Sequence, residues 1–174
     1  MEKFVYKDVL LWVDQEGCLC RCQNLSDSPV DIEIPCVSPS GTLIKSFSHG
    51  ICRGNFDRIA LPNSISVIHT CAFMDCVVNE VVWPNSCHVI PNNCFKESTV
   101  KTIKNINAVT DIRAFAFDSA ENVRLDLSES GVMCIDECAF SGLPRDHVTP
   151  PYYIPNEIFD AAFMLWEELH DSVH

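Results

Sequence analysis

The sequence is most informative at first in what it lacks. No segment approaches the ~18 consecutive apolar residues that a membrane-spanning helix needs. Residues 1–14 carry Glu2, Lys3, Lys7 and Asp8 among apolar positions. They offer neither a clean apolar stretch nor a small-residue cleavage site, and so make a poor signal peptide. Basic residues are scarce: 12 Lys and Arg stand against 24 Asp and Glu, a net charge of −12. With no Lys/Arg cluster to offset that charge, phosphate backbones and anionic membranes are repelled. A basic protein surface, by contrast, is attracted, chiefly through faster encounter. Phosphate loops, dinucleotide fingerprints and zinc-hydrolase helices are also missing. No cofactor, no resident metal and no small-molecule substrate are expected.

Cysteine, in contrast, is plentiful. There are eleven, an odd number, in a chain of 174 residues, which is long enough to fold without disulfides. Most lie beside apolar residues, where Cys acts as a small hydrophobe. Free thiols in a reducing, intracellular compartment are the simpler expectation.

A repeat dominates the chain. Ile-x-x-x-Ala-Phe appears at Ile68–Phe73, Ile112–Phe117, Ile135–Phe140 and Ile158–Phe163, and as Ile90–Phe95 with Cys94 for Ala. The leading isoleucines are 22, 22, 23 and 23 residues apart. Three residues earlier stand Ile65, Cys87, Val109, Val132 and Pro155. Before these, Ile59 and Leu61, Val81 and Trp83, and Leu125 and Leu127 alternate as short strands do. An eroded copy lies upstream, with Ile32-Glu33-Ile34-Pro35, Ile44 and Phe47. One such unit cannot bury its apolar positions alone. Stacked units bury each column against itself, so the pattern predicts a solenoid of about six turns, spanning ~25 Å at the spacing of paired strands. Phe73, Phe95, Phe117 and Phe140 should form one buried stack, with Ile68, Ile90, Ile112, Ile135, Ile158 and Phe163 completing the core.

The strand, the proline after it and the run Val/Ile-x-x-Ile-x-x-x-Ala-Phe-x-x-Cys resemble the BspA-like class of leucine-rich repeats. The match is specific from about Ile59 to Phe140. Cys76 fits the last position, whereas Ser98, Ala120, Leu143 and Trp166 depart from it. The resemblance implies an α/β leucine-rich-repeat solenoid, β-dominated, with a binding role and no catalytic residues. It also implies a β-hairpin cap over Phe4 to Ile34, turning at Asp14-Gln15-Glu16-Gly17. Residues 1–174 are read as a single domain: a cap over 1–31, repeats over 32–147, then a degenerate repeat and C-terminal cap over 148–174.

The departures carry expectations of their own. Asn105 stands where Leu61 and Trp83 stand, so either Ile103 and Ile106 turn inward or Asn105 bonds to neighbouring backbone. Val148-Thr149-Pro150-Pro151 replaces the last strand, and proline cannot donate to a ladder, so the sheet should end there. Residues 156–170 read as a closing helix, capped by Asn156, with Ile158, Phe159, Ala162, Phe163, Trp166 and Leu169 facing inward.

Some residues invite a chemical reading. Cys18, Cys20 and Cys22 alternate along one strand and so should share a face. Three thiolates suit zinc, but Cys-x-Cys-x-Cys lacks the usual spacing, and packing is favoured. Cys87-His88 and Cys134 with Asp136 are the only local pairs of a nucleophile and a base, and both cysteines sit at or beside apolar columns, which predicts burial over activation. The chain is therefore expected to be no enzyme.

Binding needs a surface. Residues flanking the buried strand pairs point outward, which gives two rows: Asp31, Arg58, Glu80, Thr102 and Arg124, beside Glu33, Ala60, Val82, Lys104 and Asp126. A loop edge carrying His69, Asp75 and His88 is the competing interface. The expected function is a protein–protein interaction module, such as a small acidic inhibitor or a scaffold subunit. The alternative, a secreted or surface adhesion protein, predicts oxidised cysteines and, in a eukaryotic host, a glycan on Asn24 of Asn24-Leu25-Ser26.

Overall fold

The computed structural model describes residues 1–164. Its first three strands, β1 (Glu2–Tyr6), β2 (Val9–Val13) and β3 (Cys18–Asn24), form an antiparallel meander. Apolar residues at alternate positions of β2 (Val9, Leu11, Val13) are fully buried, as a strand with one covered face requires. On the other face Trp12 lies between Lys3 and Arg21, whose cationic groups are 4.1 and 4.5 Å from its rings, a cation–π pairing set by strand register.

The repeats then wind as a coil with three sides. One side is a parallel ladder of β4 (Val30–Glu33), β7 (Asn55–Ala60), β9 (Val77–Val82) and β11 (Thr102–Lys104), followed by a separate pair, β13 (Leu125–Asp126) and β15 (Val148–Thr149). Ile32, Ile59, Val81 and Ile103 are in register and point inward. The second side carries two-residue strands: β5 (Ser46–Phe47) beside β8 (Val67–Ile68), and β10 (Val89–Ile90), β12 (Asp111–Ile112) and β14 (Cys134–Ile135) together. One more short strand, β6 (Cys52–Arg53), pairs with β3. The meander therefore joins the solenoid directly, because β3 also pairs in parallel with β5.

The Ala-Phe turns make the third side. Successive turns are linked by backbone bonds, from Phe73 N to the Cys94 carbonyl, Phe95 N to Ala116, Phe117 N to Ala139 and Phe140 N to Ala162. Inside them runs the aromatic spine. Phe73, Phe95, Phe117 and Phe140 are fully buried, with ring centroids 5.1, 5.3 and 5.8 Å apart. Phe47 starts the stack 4.9 Å from Phe73. By strand register Phe47 holds the place of Ile68, but its own repeat lacks an Ala-Phe turn, so its ring fills the spine instead. The six strands of the long side bound about five full turns.

Each turn needs two left-handed residues. Cys71, Asn93, Phe115 and Cys138 take one position with φ of 54–58°, and Asp75, Glu97, Ser119 and Gly142 take the other. Only Asn93, Asp75 and Gly142 among these are residue types that favour that region. The 22–23-residue spacing and the cross-turn bonds hold the others there.

Both expectations for Asn105 hold together. Ile103 and Ile106 are buried, and Asn105 sits at φ 63° with its amide 3.2 Å from the Trp83 carbonyl. The turn ends β11 early, which explains why the long ladder breaks before β13. Val148 and Thr149 still pair with Leu125 and Asp126, and among the described residues no strand follows them.

The C-terminal helix differs from expectation. α1 spans Asn156–Ala161, with Pro155 at its cap, so Asn156 is its first helical residue. Ile158, read as core, is 51% exposed; Phe159 is fully buried in its stead. The Pro155 carbonyl accepts the N–H groups of Ile158 and Phe159, and a helix started there turns Phe159 rather than Ile158 inward. Phe163 packs 5.2 Å from Phe140 and is half-buried. Trp166 and Leu169 lie outside the described residues.

Candidate interaction surface

The long ladder presents the two expected rows outward. Asp31, Arg58, Glu80 and Thr102 are cross-strand neighbours, as are Glu33, Ala60, Val82 and Lys104. Arg124 and Asp126 are set apart from them, since Asp126 belongs to the separate β13–β15 pair and Arg124 immediately precedes it. A backbone bond from Arg124 N to the Lys101 carbonyl keeps this pair alongside.

Arg58 is the hub of the surface. Its guanidinium lies 3.1 Å from Asp31, 3.4 Å from Glu33 and 3.3 Å from Glu80. The hydrogen bond that the guanidinium donates to Asp31 leads the effects that hold the Arg58 pKa above its ordinary value. One cation shared by three carboxylates leaves the patch acidic. Asp57 adds a further carboxylate, accepting a bond from the Asn79 amide at 3.0 Å. It is outward because β7 and β9 each place two residues between their buried pairs, Phe56 and Ile59, Val78 and Val81. Simple alternation along the strand misses Asp57 for that reason.

The residues of the alternative loop edge take different places in the coil. His69 and His88 stand three residues out of phase in the 22-residue repeat. The His69 ring lies 5.5 Å from that of His49, tilted by 41°, while His88 Nδ1 is 2.8 Å from the Ala108 carbonyl oxygen. Asp75 lies on the Ala-Phe side.

The cysteines divide by environment. Cys22, Cys52, Cys76, Cys87, Cys94 and Cys138 are buried, Cys36 is exposed, and none of the eleven is joined in a disulfide. Burial pushes the Cys87 and Cys94 thiols up and so keeps them protonated. Cys134, 3.6 Å from Asp136, is also pushed up, by desolvation and then by that carboxylate. Neither pair is an activated nucleophile. Cys18, Cys20 and Cys22 do not share a face: a bulge in β3 opposite Trp12 and Val13 shifts the phase, so Cys22 points into the core while Cys18 and Cys20 remain half-buried at the surface.

Asn24 is buried, and its side-chain amide donates to the Ser28 and Asn55 carbonyls at 2.8 and 2.7 Å. Both amide hydrogens are committed, and Gly54 packs against its Cβ. The folded chain has no room for a glycan there. No helix of the described residues is long and apolar enough to cross a membrane.

A coil of short parallel strands with one buried aromatic column and an outward ladder is a leucine-rich-repeat solenoid. The family profile described as the BspA type leucine rich repeat region matches six copies over residues 42–165, and the chain belongs to that family. No similar curated protein and no similar solved structure was found. Such repeats commonly serve protein–protein recognition.

Proposed function

We propose that this chain is a non-catalytic protein-interaction module whose partner docks on the outward face of the long ladder. The observation that carries the reading is the in-register display of Asp31, Glu33, Arg58, Glu80, Val82, Thr102 and Lys104 on a rigid parallel sheet. Arg124 and Asp126 extend the same face. Rows at fixed spacing encode a charge pattern that a complementary surface can match. The excess of carboxylates around Arg58, with the chain's net charge of −12, favours a basic protein surface as the partner. A small acidic inhibitor of a basic protein and a scaffold subunit both use such a face. A reducing compartment suits the free thiols, and the blocked Asn24 weighs against the glycosylated, secreted alternative.

The test compares the wild-type chain with a double variant, Asp57→Lys and Asp126→Lys, which removes acidic charge from the face and leaves the Arg58 cluster intact. Partners are captured by cross-linking in the native cell, and folding is followed by circular dichroism. Intact folding with loss of the captured protein supports the ladder face. Unchanged capture moves the interface elsewhere. Labelling all thiols under denaturing conditions separates the compartments: eleven free thiols favour the reducing one.

A further inference from the structure

The turn between β2 and β3 brings three metal-ligating groups together. Asp14, Cys18 and Cys20 each offer a donor atom, and these atoms all lie within 4.8 Å of one another. Cys20 Sγ is 4.0 Å from Asp14 Oδ2. They form the one such cluster of three among the described residues. The bulge in β3 creates it: Cys20 is the residue skipped between the Arg21–Trp12 and Leu19–Val13 pairs, and so stands beside Cys18 at the surface.

The two oxygens of Asp14 have separate tasks. Oδ1 accepts the backbone N–H groups of Glu16 and Cys18 at 2.9 and 2.8 Å, which holds the turn. Oδ2 faces the Cys20 thiol. The turn itself is rigid. Gly17 sits at φ +84° with a Cβ position only 2.1 Å from the Leu43 carbonyl oxygen, and its own carbonyl accepts the Lys45 N–H at 2.9 Å. A shallow cleft of about 280 Å³, lined by Met1, Asp14, Gln15 and Glu16, opens beside Asp14.

We infer that Asp14, Cys18 and Cys20 form a surface site for a thiophilic divalent cation, zinc in the first place, held by two thiolates and one carboxylate with the fourth position open to water. Tetrahedral zinc with bonds of ~2.3 Å to sulfur and ~2.1 Å to oxygen needs donors roughly 3.5–3.8 Å apart. Closing from separations of at most 4.8 Å takes side-chain shifts of about 1 Å. Two soft donors and one carboxylate select zinc over magnesium or calcium, which prefer oxygen throughout. The bound ion would tie the tip of the meander, beside the strand that joins it to the solenoid.

The experiment uses the full chain, reduced and stripped with a chelator. Zinc is titrated against a chromogenic indicator, and cobalt is substituted to read sulfur-to-metal charge transfer and tetrahedral d–d bands. One ion per chain is expected, with Cys18 and Cys20 protected from alkylation as seen by peptide mass. Cys18→Ser and Cys20→Ser should abolish the site. Asp14→Asn keeps the Oδ1 acceptor and hence the turn, and, since it removes a ligand, should weaken binding by more than the roughly tenfold that loss of a mere outer-shell partner brings. Cys36→Ser, which removes the one exposed thiol, should bind as the wild type does. Absence of stoichiometric binding, retention in either serine variant, or loss in Cys36→Ser overturns the proposal. Should a serine variant fail to fold, protection of Cys18 and Cys20 in the wild-type chain decides: alkylation of both at the free rate with zinc present refutes the site.

Discussion

The two ends of the solenoid are closed by different means. At the N-terminal end, β3 lies in register with β5, Leu19 against Phe47, so backbone hydrogen bonds carry the coil into the meander. At the C-terminal end among the described residues, α1 follows in place of another short strand. Phe159 and Phe163 turn onto Phe140, 6.0 and 5.2 Å away, and Cys138 N and Phe140 N bond to the carbonyls of Ala161 and Ala162. The ladder can end at either kind of element, because a strand edge can be left to water. The phenylalanine column cannot, since its last ring would be exposed. Both ends therefore cover the spine first.

The largest expected effect lies midway between the ends. Phe117 is fully buried between Phe95 at 5.3 Å and Phe140 at 5.8 Å. Replacing it by alanine should cost ~3–5 kcal/mol, as a large-to-small change in a site that cannot collapse. Urea unfolding measures this. A loss below ~1 kcal/mol would mean that the ladders, rather than the spine, hold the turns together.

A pair of substitutions sharpens the account of the C-terminal end. Phe159→Ala should cost ~2–4 kcal/mol, somewhat less than Phe117 because a terminal site can relax. Ile158→Ala, at a position 51% exposed, should stay within ~0.5 kcal/mol of the wild type. Equal losses at both positions would return Ile158 to the core and undo the helical phase described for α1.

How much of this was legible depended on whether a feature repeats. Ile68, Phe73 and their successors announce themselves because each copy meets the next at a fixed spacing, so local order in the chain is also contact order in space. Ile158 carries the same letters but comes last, after Pro155, and the helix there re-aims its neighbours. The Cys18–Cys20–Cys22 alternation misled for a similar reason: one bulge shifts the phase by a residue, and nothing in those residues marks it. The left-handed turn positions were invisible too, as Cys71, Glu97 and Phe115 are not residues that choose that conformation. On the candidate surface, alternation placed Asp31, Glu33, Glu80 and Lys104 outward. The sharing of Arg58 by three carboxylates and the break before β13 depend on distances that no pattern states.

The N-terminal closure has its own weak point. Gly17 holds φ +84° and packs against the Leu43 carbonyl, so Gly17→Ala adds both a clash and a strained backbone. A loss of about 1–3 kcal/mol is expected. Hydrogen exchange should show it as lost protection in β3 and β5, with the amides of Phe95 and Phe117 unaffected. Uniform loss across the chain would instead show that the two ends are coupled through the spine.

The smallest effect has the opposite sign. Glu97 sits at φ 56°, a region costing an ordinary residue roughly 1–2 kcal/mol. Gly142 already fills the equivalent place two turns on, at φ 75°. What Glu97 contributes to its turn is its N–H, bonded to the Asp118 carbonyl at 2.8 Å, and glycine keeps that bond. Its side chain is half exposed and reaches Lys96 only at 3.9 Å, a pair of little worth in water. Against the relieved strain stands the larger conformational freedom that glycine gives the unfolded chain, about 0.5–1 kcal/mol. Glu97→Gly should therefore stabilise by less than ~1 kcal/mol, read as a higher urea midpoint at unchanged slope. The same change at exposed, non-helical positions with negative φ should destabilise. If Glu97→Gly also destabilises, the left-handed turns are not strained, and the repeat holds them by side-chain contacts rather than by the backbone bonds between coils.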